Sequence, residues 1–198
     1  TKVPKLPNNC DFHSLGRQKD FGKIWSDPLI PFLEKLEDEY FVFTVEDVML
    51  LDYVDMDKIK LLEDEIKFNN VSKALLDSHL NKYATPYKKG LMVMNQTAPY
   101  RSSLHPAIWK KEYFMKFLKP GYTAWDFEVL NDEEAKLGGE KIISVAQEEN
   151  LYYTCNVYRK GAIIPRFDCP RPYGTSTDDP PMAPIEYILN FINNKEND

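Results

Sequence analysis

The sequence predicts a single domain of the α/β class, because strand-length and helix-length segments alternate along it. Apolar runs of strand length occur at 40–47 and 90–96, and two further strand-like runs, IISVAQ and LYYTCNVY, follow later. The run at 40–47 does not alternate strictly between apolar and polar residues, which is typical of a strand covered on both faces. We therefore expect a mainly parallel or mixed sheet with flanking helices.

Length and charge narrow the class of protein. With 198 residues, 43% of them hydrophobic, the chain can form one domain with a substantial core. A net charge of −6 argues against a nucleic-acid partner, which needs a basic face. No apolar run approaches the roughly 18 residues of a membrane span. The three cysteines show no C-x-x-C spacing, so we expect reduced thiols and a cytoplasmic protein.

The first half of the chain contains two predicted helices. Apolar residues at helical spacing within 23–40 indicate the first. The second is predicted within 55–70, starting after Asp55 or Asp57, and residues 73–80 are expected to add another turn or two.

The second half contains two longer helices and an irregular end. A helix is predicted over 106–120 between two prolines. Another is predicted to begin at Thr123, as N-cap, and to end at the glycines 138–139. The proline-rich segment 165–181 predicts a surface loop, and 182–195 predicts a short terminal helix.

Two adjacent carboxylates follow the first predicted strand. Glu46 and Asp47 interrupt an apolar run, where unpaired carboxylates are costly. At the carboxyl end of a strand they would point into a crevice where α/β proteins bind ligands, and together they would hold Mg²⁺ or Mn²⁺. The alternative is an acidic turn that caps the next element.

A cationic and hydroxyl-rich stretch precedes the helix predicted over 106–120. Arg101, two serines and His105 lie just before that helix, where an arginine and a helix N-terminus favour an anion. The alternative is that these side chains only organise the helix start. We include Arg101, His105 and Trp109 among the expected substrate-binding residues.

Acidic and aromatic residues meet at the start of the next helix. Trp125 offers a face on which a sugar can stack, and either Asp126 or Glu128 can act as general base on an attacking hydroxyl. In the first helical turn, however, carboxylates are also favoured by the helix dipole alone.

The order of these motifs resembles a small family of GT-A-type glycosyltransferases found in bacterial surface-polysaccharide gene clusters and in some large viruses. The resemblance includes Glu46-Asp47 after one strand, Asn95-Gln96 after another, the segment YRSSLHPAIWKKEYFMKFLKPGYTAWDFE, and NVYRKG. It implies a three-layer fold, a D-x-D-like metal motif at Glu46-Asp47-Val48, and an acceptor-facing motif at Trp125 to Glu128. It favours Glu128 over Asp126 as the base. Glu46-Asp47-Val48 departs from D-x-D, which bears on metal dependence.

The resemblance also implies a missing part. Residues 1–16 look like the tail of a strand–helix–strand nucleotide-binding unit of roughly 50 to 70 residues. We therefore expect a truncated domain whose exposed sheet edge a second copy covers as a homodimer.

The expected function is transfer of a sugar from a nucleotide-sugar donor to a glycan hydroxyl with divalent-metal assistance. The full-length parent is expected to be the enzyme, and whether this fragment is active is left open. One alternative is a non-catalytic carbohydrate or protein interaction module. A metal-dependent phosphoester hydrolase would need more ligands than His13, His79 and His105 supply.

Overall fold

The computed structural model describes residues 9–45, 48–50, 54–88, 90–146 and the short stretches 154–156, 158–159 and 162–163. The predicted loop 165–181 and terminal helix 182–195 lie outside these residues. The helices are α1 (Gln18–Phe21), α2 (Ser26–Lys35), α3 (Met56–Phe68), α4 (Lys111–Phe117), α5 (Ala124–Leu130) and α6 (Asp132–Leu137). The strands are β1 (Tyr40–Phe43), β2 (Val48–Leu50), β3 (Val71–Leu75), β4 (Ala84–Lys88), β5 (Leu91–Met94), β6 (Ala107–Lys110), β7 (Lys141–Val145), β8 (Thr154–Asn156), β9 (Tyr158–Arg159) and β10 (Ala162–Ile163).

Six strands form one mixed sheet in the order β1-β6-β3-β7-β5-β4. Within it β3 and β7 are parallel, and the other neighbouring pairs are antiparallel. The strands β2 and β8 pair separately, as do β9 and β10. The predicted α/β class with a mixed sheet is confirmed.

Helices cover both faces of the sheet, because neighbouring residues of a strand point to opposite sides. On one face, Leu62 and Ile66 of α3 pack with Ala74, Ile108 and Ile143. On the other face, α2, α4, α5 and α6 pack against the alternate sheet residues, and an aromatic cluster fills this layer. Its members include Trp25, Phe43, Trp109, Phe114 and Phe127. The described domain therefore has three layers.

The start of α3 was predicted correctly. The Asp55 carboxylate accepts hydrogen bonds from the N–H groups of Asp57 and Lys58 at 3.1 and 3.2 Å, which satisfies two donors of the first turn.

Two helical predictions were wrong. The turn predicted within 73–80 overlaps β3, which is buried along its whole length between β6 and β7. In the helix predicted over 106–120, Ala107–Lys110 is a strand and only Lys111–Phe117 is helical. The spacing of apolar residues in a short segment does not distinguish a buried helix from a strand that is buried on both faces. Neither element needs a polar face, so both can carry the same run of apolar residues.

Strand β1 lies at an edge of the six-stranded sheet, whereas the sequence suggested a covered strand. It pairs with β6 on one side, and the Val42 side chain is 54% exposed. Among the described residues, no helix is long and apolar enough to cross a membrane.

Candidate functional site

Several predicted site residues meet at one loop, residues 101–105, which leads into β6. This 101–105 loop lies where β3 ends, since β6 runs antiparallel to β3 with Leu75 opposite Ala107. Chain reversals at strand ends are where α/β proteins place ligand-binding side chains.

Arg101 anchors this loop from inside. Its side chain is fully buried, and the guanidinium donates to the carbonyl oxygens of Ala135 at 3.0 Å, Asn95 at 2.9 Å and Glu140. Burial lowers the pKa of Arg101 from its usual range. Arg101 does not offer the predicted anion contact in this arrangement, because its guanidinium donates to backbone carbonyls and the residue is fully buried.

Lys73 supports the same loop from the middle of β3. Its Nζ donates to the carbonyl of Ser103 at 2.6 Å and of Arg101 at 3.2 Å, and lies 4.1 Å from the Trp109 ring centroid. Complete burial lowers the pKa of Lys73 to about 7, although the charges of Glu128 and Asp77 act in the opposite direction. The sequence did not indicate this residue, because lysine is almost never fully buried.

Glu128 attaches α5 to the loop. Its Oε1 accepts the N–H of Leu104 at 2.5 Å, and its carbonyl accepts the Ser102 hydroxyl at 2.9 Å. The carboxylate that the family resemblance favours as a base thus lies directly beside the 101–105 loop.

Asp126 has a different environment. Its Oδ2 accepts the N–H and the hydroxyl of Thr123 at 2.9 and 2.7 Å, while the Thr123 hydroxyl accepts the Asp126 N–H. This is a capping box, and the bonds from Thr123 lower the pKa of Asp126. Thr123 was correctly predicted as the N-cap, and the helix-start explanation accounts for Asp126.

The two predicted substrate-binding tryptophans differ in exposure. Trp109 is fully buried in the aromatic cluster, so it has no surface to offer a ligand. Trp125 is 66% exposed and is available for stacking.

His105 belongs to a cluster that the sequence did not indicate. Its Nδ1 lies 3.3 Å from Oδ2 of Asp77, and its ring stacks on that of His79 with centroids 4.2 Å apart. The other oxygen of Asp77 accepts the N–H of His79 at 3.0 Å. Burial by itself raises the pKa of Asp77, but the bonds and charge from the two histidines outweigh it and lower the pKa.

The register of the sheet explains why Asp77 and His105 meet. Leu75 pairs with Ala107, and the N–H of Leu76 donates to the carbonyl of Pro106 at 2.9 Å. One residue further in each direction, Asp77 lies opposite His105. The two residues are 28 positions apart, so only the pairing of β3 with β6 brings them together.

Within the described ranges, no group of three or more His, Cys, Asp or Glu side chains is arranged to hold a metal ion. The predicted metal ligands Glu46 and Asp47 lie outside those ranges, immediately after Val45. An open pocket of about 330 Å³ lies at the opposite end of β1 and contains none of the predicted site residues. It is lined by Glu39, Tyr40, Ile66, Lys67, Phe68 and Lys110.

The fold and the 101–105 loop define a mixed α/β domain with an acidic and imidazole-containing site at one end of its sheet. Comparison of the chain with protein-family models, with curated proteins and with solved structures found no match.

Proposed function

We propose that this protein transfers a sugar from a nucleotide-sugar donor to a hydroxyl of a glycan acceptor, on a domain of the GT-A type. The observation that carries this proposal is the attachment of Glu128 to the 101–105 loop, beside His105. A carboxylate is thereby held at the sheet end where β1 leads towards Glu46 and Asp47.

The architecture supports the GT-A part of the proposal at the level of the mixed α/β class. Helices cover both faces of a mixed sheet, and β6 runs antiparallel between β1 and β3. The acidic pair follows β1 after two residues.

In this proposal Glu128 accepts the proton of the attacking hydroxyl. Asp126 is a weaker candidate because its carboxylate is used in the capping box. The exposed Trp125 on the same helix would stack on the acceptor sugar. Glu46 and Asp47 would hold a Mn²⁺ or Mg²⁺ ion, which supplies positive charge to the donor diphosphate.

Titration calorimetry tests this function directly. The protein is titrated with a panel of nucleoside diphosphates, with and without Mn²⁺, and each binder is then supplied as its nucleotide-sugar for a transfer assay. Binding of at least one nucleotide that is strengthened by Mn²⁺ is expected. Absence of binding across the panel would contradict the proposal.

The second candidate function is a non-catalytic carbohydrate or protein interaction module. The exposed apolar side chains Trp125, Val129 and Leu130 on α5 favour it. Saccharide binding that is lost in Trp125→Ala, together with no nucleotide binding, would support the module over the transferase.

A further inference from the structure

The position of the His105 ring is fixed from several directions. Asp77 faces its Nδ1, His79 covers one ring face, and the neighbouring Pro106 is hydrogen-bonded to Leu76. The side chain remains 35% exposed. Among the described residues no group hydrogen-bonds to its Nε2, and that atom is not among the buried unpartnered ones, so Nε2 reaches solvent.

The Asp77 carboxylate determines which ring nitrogen of His105 faces it as a hydrogen-bond donor. Because Asp77 is an acceptor, Nδ1 of His105 carries a proton, and any further proton on this imidazole resides on Nε2. A protonated His105 therefore presents an N–H donor and a positive charge to solvent.

The stacked pair accommodates one positive charge. Two imidazolium rings with centroids 4.2 Å apart repel each other. Burial lowers the pKa of His79, and the charge on His105 lowers it further, while Asp77 acts in the opposite direction and Lys82 in the same direction. A positive charge on this stack is therefore disfavoured at the His79 ring.

The geometry does not favour a shared metal ion at these two rings. They are inclined by only 21°, so their in-plane lone pairs run nearly parallel and do not converge on one point. The other charged groups near the cluster are Lys82, whose charge acts on His79, and Lys73, whose buried ammonium interacts with Asp77.

We propose that His105, held and charge-balanced by Asp77 and stacked on His79, binds a diphosphate oxygen of the donor through its Nε2–H. The proposal rests on the proposed function, because it assigns the group that contacts the leaving diphosphate. Glu128, the proposed base, is bonded to the N–H of Leu104, and His105 is the next residue of the loop.

The chain has three histidines, which makes a direct test by NMR practicable. Imidazole signals are assigned with the single variants His13→Gln, His79→Gln and His105→Gln, and the protein is titrated with inorganic pyrophosphate without metal. We expect saturable shifts of the His105 and His79 signals, with His13 unchanged. His13 is a matched control because it lies elsewhere, against Phe32.

Two variants separate a direct contact from a folding effect. In His105→Gln the pyrophosphate-dependent shift of His79 should disappear, while backbone spectra and the free energy of unfolding stay close to wild type. In Asp77→Asn the His105 signals should remain but pyrophosphate should bind at least about tenfold more weakly, since the supporting charge is lost. Unchanged His105 signals at about 10 mM pyrophosphate, or equal shifts at His13, would overturn the proposal.

Failure of this proposal is distinguishable from failure of the proposed function. If His105 responds to pyrophosphate but no nucleoside diphosphate binds, the anion site stands and the transferase assignment fails. If a nucleotide-sugar is turned over and His105→Gln leaves both KM and kcat unchanged, the transferase stands and the His105 contact is wrong. Orthophosphate is titrated in parallel, and tighter binding of orthophosphate than of pyrophosphate would exclude the diphosphate assignment.

Discussion

Glu128 accepts a hydrogen bond from the backbone N–H of Leu104 at 2.5 Å, which joins α5 to the loop that precedes β6. This contact gives Glu128 a structural hydrogen bond through one oxygen, to the residue that precedes the partly exposed His105. The structural and the proposed chemical roles of Glu128 can therefore be separated by a substitution that keeps the acceptor oxygen.

Glu128→Gln should abolish most transfer with little loss of stability. The amide oxygen of glutamine can still accept the Leu104 N–H, so the free energy of unfolding should change by less than about 1 kcal/mol. Loss of a general base should lower kcat by about 10²- to 10⁴-fold. Transfer assays and urea denaturation measure the two quantities.

Asp126→Asn is the matched control for that experiment. It should lower the free energy of unfolding by about 1 kcal/mol, because the capping box is weakened, while kcat changes little. If both variants retain normal kcat, the proposed acceptor site is wrong.

Asp47→Asn should remove the Mn²⁺-dependent part of nucleotide binding. A neutral amide is a poorer ligand for a hard cation than a carboxylate, so calorimetry should show the same weak binding with and without Mn²⁺. Asp38→Asn, an exposed aspartate just before β1, should behave like wild type. Mn²⁺-enhanced binding retained in Asp47→Asn would argue against the metal assignment.

Arg101→Ala should strongly destabilise the fold. The substitution removes a buried cation that donates to three carbonyl oxygens, and hydrogen bonds to charged groups contribute about 1.5–3 kcal/mol each. We expect a loss of at least about 3 kcal/mol in the free energy of unfolding. Arg17→Ala, at a residue whose side chain is 71% exposed, should change it by less than about 1 kcal/mol. A near-neutral Arg101→Ala would show that the anchor is not needed.

Lys73 should impose a pH dependence on stability. Its pKa is about 7 in the folded protein, against 10.5 for an ordinary lysine, so between these values the unfolded chain binds the extra proton. Stability should therefore rise as the pH increases from 7 towards 10.5 and should receive no further change from this group below 7. Urea denaturation at about pH 7.5 and about pH 9.5 measures the effect.

Lys73→Met should remove that rise, because no group remains at this position to titrate. Lys60→Met, at an exposed position of α3, should leave it in place. A rise in Lys73→Met equal to that of wild type would mean that another group is responsible.

Local signals in the sequence were sufficient for some elements. The helix start at Asp55 and the N-cap at Thr123 depend on side chains within three residues of the backbone groups they bind, so short patterns predicted them. The strand at 91–94 was also predicted correctly from its apolar run. Long-range pairing decided the rest.

Ala107–Lys110 illustrates the limit of local patterns. Its apolar residues fit a helical stripe, yet they are paired with β1 on one side and with β3 on the other. The same pairing determines that Asp77 faces His105. Neither fact is encoded near the residues concerned, so the cluster at the sheet end could not be inferred from spacing.

The way Arg101 holds the 101–105 loop determines which substitutions this sequence can tolerate there. Arg101 donates to main-chain oxygens of Asn95 and Glu140, and every amino acid supplies such an oxygen. Substitutions at those two acceptor positions therefore leave the anchor intact, whereas the donor position accepts no replacement with the same reach and number of N–H groups. In a saturation library selected for folding, tolerance should be high at 95 and 140 and very low at 101.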